Sequence, residues 1–86
     1  MHELSLALEV CRLAEQALDK GGGGRVLRVA VEVGDDAGVE VENFRFCLDA
    51  LLTEPPFRGA ASELIRAPGE EFRLAWVEVD DDRSSH

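Results

Sequence analysis

The sequence predicts an α+β domain in which two helices pack on one face of a mixed three-stranded sheet, in the order helix, strand, helix, strand, strand. Three observations predict this fold. Apolar residues recur every three or four positions in two segments, they alternate with polar residues in others, and turns rich in glycine and proline separate the segments. A strand–helix–strand unit favours parallel pairing, whereas a short turn favours an antiparallel pair. We therefore expect the last two strands to form a hairpin.

The first helix is predicted over Leu4–Lys20. Two apolar stripes run along it: Leu4, Ala7, Leu8, Cys11, Ala14 and Leu18, and then Leu6, Val10, Leu13 and Ala17. An arc this broad needs more than one neighbour to cover it. Four glycines, Gly21–Gly24, then end the helix. They follow a helix instead of a strand, which excludes a phosphate-binding loop.

The middle of the chain predicts one strand and one helix. Arg25–Val33 alternates strictly, and this pattern indicates a half-buried strand. Its predicted core-facing residues are Leu27, Val29, Val31 and Val33. A loop follows over Gly34–Gly38, and helical spacing returns over Val41–Leu52. Pro55 and Pro56 end that helix because proline cannot continue it.

The last third of the chain predicts two strands, a weak one over Ala60–Ala67 and a stronger one over Phe72–Val79. Pro68 and Gly69 between them are typical of a tight turn. In the last strand we expect Phe72, Leu74 and Trp76 on one face and Ala75, Val77 and Val79 on the other. A strand that is apolar on both faces is either central or covered by something outside the domain, such as a second copy of the chain.

The length of 86 residues predicts a single domain over residues 1–80. Residues 81–86 form a polar tail that we expect to be disordered or left from a tag. The net charge is −9, with 18 acidic residues against nine basic ones, which argues against a nucleic-acid or membrane surface. An acidic surface favours cations or a basic protein partner, and solubility alone also accounts for it.

The expected location is the cytoplasm. The sequence has no apolar run long enough for a membrane span and no pattern typical of a signal peptide at its start. Its two cysteines, Cys11 and Cys47, fall in helical apolar patterns, so we expect both to be buried and reduced.

The residues do not predict an enzyme. The only histidines are His2 and His86, at opposite ends of the chain, so no nucleophile–base pair is indicated. Paired carboxylates lie in predicted turns, without the burial that would separate their pKa values. No Cys-x-x-Cys pair is present, so we expect no zinc site.

One group of donors remains, at the start of the chain. The α-amine of Met1, the peptide nitrogen and imidazole of His2, and the peptide nitrogen or carboxylate of Glu3 can supply four donors near one plane. Ni(II) and Cu(II) accept this geometry, and the general affinity order favours copper. The imidazole must be neutral, so binding should fall below about pH 6. By itself, a histidine near a terminus is more often a solvated side chain than a ligand.

A family resemblance favours the interpretation of His2 as a metal ligand. The opening Met-His-Glu-Leu-Ser-Leu-Ala resembles the start of the HypA/HybF family of nickel-insertion proteins for hydrogenase maturation. The similarity continues through residues 25–34, 38–50, 64–69 and 77–79. It covers roughly residues 1–80 in register, and the order and spacing of the segments are more specific than any one motif.

The resemblance implies a nickel metallochaperone that works with a maturation GTPase and the precursor of [NiFe]-hydrogenase, and in some organisms urease. It implies Ni(II) ligands at Met1, His2 and Glu3. The family's zinc module, with two Cys-x-x-Cys pairs, would lie between the last two strands, where this sequence has only a short turn at Pro68–Glu70.

Two other functions stay open. The chain could be a metal-independent interaction module that keeps the fold and binds a maturation partner, which the missing zinc module favours. It could also be a small acidic domain with an unrelated role. A homodimer is compatible with each of these functions.

Overall fold

The structure is a computed structural model, and it describes residues 2–80. Met1 and the predicted tail at residues 81–86 lie outside the described residues. The elements are α1 (Glu3–Lys20), β1 (Arg25–Gly34), α2 (Val41–Leu51), β2 (Ala61–Ala67) and β3 (Phe72–Asp80). The predicted fold class is confirmed, and each predicted boundary agrees with the structure to within one residue.

The three strands lie in the order β2-β1-β3. β1 pairs parallel with β2 and antiparallel with β3. The expected hairpin is therefore wrong, because β2 and β3 lie on opposite sides of β1. Residues 68–71 form a turn, as predicted, but this turn crosses the end of β1. The Gly34 N–H donates to the Glu71 carbonyl at 2.7 Å, and the Asp36 N–H donates to the Gly69 carbonyl at 2.8 Å.

The core lies between the sheet and the two helices. α1 packs against α2 and β3, while α2 also packs against β2. Val29, Val31 and Val33 face this core as predicted, but Val26 is buried where Leu27 was expected. The cause is an irregularity in the pairing of β1 with β3 between Val26 and Arg28, which shifts the alternation by one residue.

A second irregularity changes the faces of β3. Ala30 pairs with Trp76 and Val31 with Leu74, so Ala75 is an extra residue in the ladder. Its insertion brings the apolar residues on both sides of it to the core: Phe72, Leu74, Val77 and Val79. Trp76 therefore lies on the outer face with Ala30, and the prediction that it shares a face with Phe72 and Leu74 is wrong.

The helices differ from expectation in their exposed residues. Leu4 and Leu8 are about half exposed on α1, although both were placed in its apolar stripe. Both cysteines are free thiols. Cys11 is buried, and burial raises its thiol pKa to about 11, whereas Cys47 is only half-buried. In residues 2–80, no helix combines the length and the apolar character needed to cross a membrane.

Candidate metal centre

The first helix begins directly behind His2. The His2 carbonyl accepts the Leu6 N–H at 3.0 Å, which is the first bond of the helical ladder. The peptide nitrogens of His2 and Glu3 lie before that first donor, since the opening N–H groups of an α-helix have no intrahelical partner. The His2 side chain is exposed and makes no capping hydrogen bond. A metal could therefore bind these two nitrogens without breaking a helical hydrogen bond.

The side chain of Glu3 is buried, unlike the exposed side chain of His2. It is only 4% exposed, and it is the one buried charged residue in the part of the chain that the structure describes. Its Oε2 accepts the Glu40 N–H at 3.0 Å, and its Oε1 accepts from Asn43 Nδ2 at 3.3 Å. The Glu40 N–H is the main cause that lowers the pKa of this carboxyl; burial opposes it, and the Glu3 N–H and Asn43 lower the pKa further. The group is therefore a carboxylate at neutral pH.

This carboxylate connects the starts of the two helices. Glu40 is the N-cap of α2, so Glu3 satisfies an N–H at the positive end of that helix. The buried role of Glu3 was not predicted. An acid in the first turn is a normal helix-start signal, but its partners lie 37 and 40 residues further along the chain.

Of the donors proposed from the sequence, the structure describes those of His2 and Glu3. His2 and Glu3 are consecutive in the chain, and Met1 lies outside the described residues. The Glu3 carboxylate accepts from Glu40 and Asn43, and the Glu3 N–H also acts as a hydrogen-bond donor that lowers the pKa of this carboxyl, so neither Glu3 donor proposed from the sequence is without a partner. Within residues 2–80, no three His, Cys, Asp or Glu side chains are grouped so that they could hold a metal.

Comparison with known proteins decides the family. A model described as "Hydrogenase/urease nickel incorporation, metallochaperone, hypA" matches residues 1–74. This chain belongs to the HypA family. The HypA family resemblance inferred from the sequence is thereby confirmed, and the family is one of metallochaperones for nickel incorporation.

Three HypA relatives show how far the similarity extends. A hydrogenase maturation factor HypA from Azoarcus sp. (strain BH72) is 44% identical over 79 residues, which are 92% of this chain and 69% of that protein. HypA proteins from Albidiferax ferrireducens and Paracoccus denitrificans are 38% and 37% identical, over 92% and 94% of this chain and 70% and 74% of their own lengths. The chain is thus similar to HypA over most of its length.

A solved structure supports the fold. The solution structure of the Ni metallochaperone HypA from Helicobacter pylori matches with a TM-score of 0.81, covering 92% of this chain and 97% of that one. The sequence identity is 15%, so this similarity establishes the fold alone.

Proposed function

We propose that this chain carries Ni(II) at the start of α1 and delivers it during maturation of a nickel enzyme, either [NiFe]-hydrogenase or urease. The observation that carries the proposal is the environment of His2. This residue is the exposed N-cap of α1, directly behind Met1, and the helix ladder uses neither its peptide nitrogen nor that of Glu3.

The proposed ligands are the Met1 amine, the His2 peptide nitrogen and imidazole, and the Glu3 peptide nitrogen. Four nitrogens near one plane suit Ni(II), and binding would release protons because amide nitrogens must lose theirs. The Glu3 carboxylate then has a supporting role. By bonding to Glu40 and Asn43, it fixes the start of α1 against α2 and so holds Glu3 in place.

An exposed site at a chain end suits a carrier better than an enzyme. The cargo must be released to a partner, so open access matters more than enclosure. By family resemblance, the proposed partners are a maturation GTPase and the precursor of the nickel enzyme. We propose no zinc for this chain, because its two cysteines lie on different helices and residues 68–71 contain none.

The alternative function is a metal-independent interaction module in the same maturation system. The observation that favours it is the connection between β2 and β3, which has only four residues where the family resemblance would place a zinc module. In this case the chain would bind a maturation partner whether or not His2 is present.

Nickel titration of the untagged chain at neutral pH tests the proposal. Replacing His2 with alanine removes the imidazole, so we expect affinity to fall by more than the roughly 10–100-fold that loss of a supporting residue costs. His86→Ala is the matched control, because it removes the other histidine, and it should bind like wild type.

Equal binding by wild type and His2→Ala, or no binding by wild type, would contradict the nickel proposal. Capture of the maturation GTPase by metal-free His2→Ala protein would then favour the interaction module.

A further inference from the structure

A shallow, open groove lies between the second half of α1 and the start of β3. Leu13 and Ala17 of α1 and Phe72 and Leu74 of β3 supply its apolar lining. Ala17 is exposed and the other three side chains are half-buried, so this apolar surface remains accessible in the folded chain. The groove is therefore a candidate for contact with another molecule.

The strand beside the groove has an unpaired edge. β3 pairs with β1 on one side, and within residues 2–80 no strand pairs with its other side. Such an edge presents N–H and C=O groups that a further extended segment can bind. In recognition of this kind, main-chain hydrogen bonds supply affinity, and pockets for alternate side chains supply specificity. The groove is such a pocket, because it lies directly beside the edge.

The charge of the groove is opposite to that of the chain. The protein has a net charge of −9 and 18 acidic residues, yet none of them lines the groove, whereas Lys20 and Arg73 both do. Lys20 makes no ion pair within residues 2–80. Arg73 contacts Glu32, but its side chain is still 57% exposed. The groove is thus a cationic, apolar surface on an acidic protein, and an acidic occupant fits it.

We propose that the groove and the edge of β3 bind an extended segment of another protein, one in which apolar side chains alternate with carboxylates. The main chain of this segment pairs with β3, and its apolar side chains enter the groove. Its carboxylates lie within reach of Lys20 and Arg73, where they form charge-assisted hydrogen bonds.

The groove lies away from the proposed nickel ligands. His2 precedes the first turn of α1, and along the helix axis Leu13 lies roughly 16 Å and Lys20 roughly 27 Å from it, at about 1.5 Å per residue. A segment bound in the groove therefore leaves the His2 end of the helix open. The proposal does not depend on nickel binding, and metal-free protein is sufficient to test it.

Two synthetic peptides test the charge preference: acetyl-Glu-Val-Glu-Val-Glu-amide and its counterpart with lysine in place of glutamate. Each is titrated into the full, metal-free chain at about 0.15 M salt, and binding is followed from the amide NMR signals. The net charge of −9 predicts tighter binding of the basic peptide, whereas the groove predicts the reverse. We expect the acidic peptide to bind about tenfold more tightly, with shifts centred on Leu13–Lys20 and Phe72–Leu74.

Two variants test the location of the site. Lys20→Glu reverses a cation of the groove, and Ala17→Glu places a carboxylate in its apolar lining. Both residues are exposed, so the melting temperatures should stay near that of wild type. Each variant should weaken binding of the acidic peptide by about tenfold, because a favourable contact becomes a repulsion. Arg45→Glu is the matched control for Lys20→Glu. It makes the same charge change on the exposed surface of α2 and should bind both peptides like wild type.

Three results would overturn the proposal. The first is tighter binding of the basic peptide by wild type, or no shift with the acidic peptide. The second is equal weakening by Arg45→Glu and Lys20→Glu, because net charge alone would then explain the effect. The third is a set of shifts at Phe72–Leu74 that grows with protein concentration before any peptide is added, because a second copy of the chain would then occupy the edge.

Discussion

Two junctions of this fold connect parts of the chain that are distant in sequence, and they do so by different means. At the helix junction, one buried side chain, Glu3, connects the start of α1 to Glu40 and Asn43 at the start of α2. At the strand crossover, residues 68–71 lie against the end of β1 through main-chain hydrogen bonds from Gly34 and Asp36. The helix junction depends on one carboxylate, whereas the crossover depends on close backbone approach.

This difference bears on function. The helix junction supports the proposed nickel ligands, so a side-chain change there should affect the site. The crossover occupies the position where the family resemblance would place a zinc module. Its four residues connect β2 to β3, and main-chain hydrogen bonds hold them against the end of β1. We therefore expect the domain to fold without zinc, and each junction to respond to a different kind of substitution.

The largest expected effect on stability comes from Gly34→Ala at the crossover. A Cβ there would overlap the Gly69 carbonyl oxygen and lie 2.8 Å from that of Glu71, and both atoms belong to the backbone. We expect a loss of about 3 kcal/mol in the free energy of unfolding, measured by urea denaturation. Gly69→Ala is the control. Its φ of 97° strains an alanine, but its Cβ meets no atom within 4 Å, so it should cost about 1–2 kcal/mol. A larger loss in the free energy of unfolding for Gly69→Ala than for Gly34→Ala would contradict the close backbone approach at Gly34.

A smaller effect is expected for Glu3→Gln at the helix junction. The folded-state pKa of Glu3 is lowered from its ordinary value of 4.5, so its charge contributes stability above that value. This contribution disappears as pH falls through the lower folded-state pKa. The stability difference between wild type and Glu3→Gln should therefore be greatest near neutral pH and shrink on acidification below 4.5, as denaturation across pH would show.

Nickel titration of the same variant examines the role of the carboxylate. If Glu3 supports the site through its side chain and binds through its peptide nitrogen, Glu3→Gln should retain most of the affinity that His2→Ala loses. A folded Glu3→Gln chain that binds no nickel would show that the carboxylate is itself a ligand.

The smallest effect is expected for Arg66→Ala beside the crossover. Arg66 pairs with Asp35 at 2.7 Å, but both side chains are more than half exposed. Pairs of this kind typically contribute about 0–1 kcal/mol, so the free energy of unfolding should change little. A loss as large as that of Gly34→Ala would mean that the crossover depends on side chains after all.

The sequence predicted the elements well because periodicity and turn residues are local signals. It failed where the outcome depends on distant partners. The Pro68–Gly69 turn signal was correct, but it carries no information about which strand lies beside β2, and β1 occupies that position. The face of Trp76 depended on one extra residue, Ala75, which strict alternation cannot reveal.

In the candidate site, too, the local features could be predicted from the sequence and the contacts with distant residues could not. His2 could be proposed from donor chemistry and from the family resemblance. The buried carboxylate of Glu3 could not, because its partners lie on α2. A chain-end helix usually frays, and nothing local in the sequence indicates that this one is held by a residue in its first turn.

The central claim is that the nickel site is the chain end itself, and one measurement tests it most directly. Acetylating the α-amine of Met1 keeps every side chain but removes that nitrogen as a donor. We predict that the acetylated chain keeps its melting temperature and loses nickel affinity as severely as His2→Ala, when both are titrated at neutral pH. Unchanged affinity in the acetylated chain would contradict the claim.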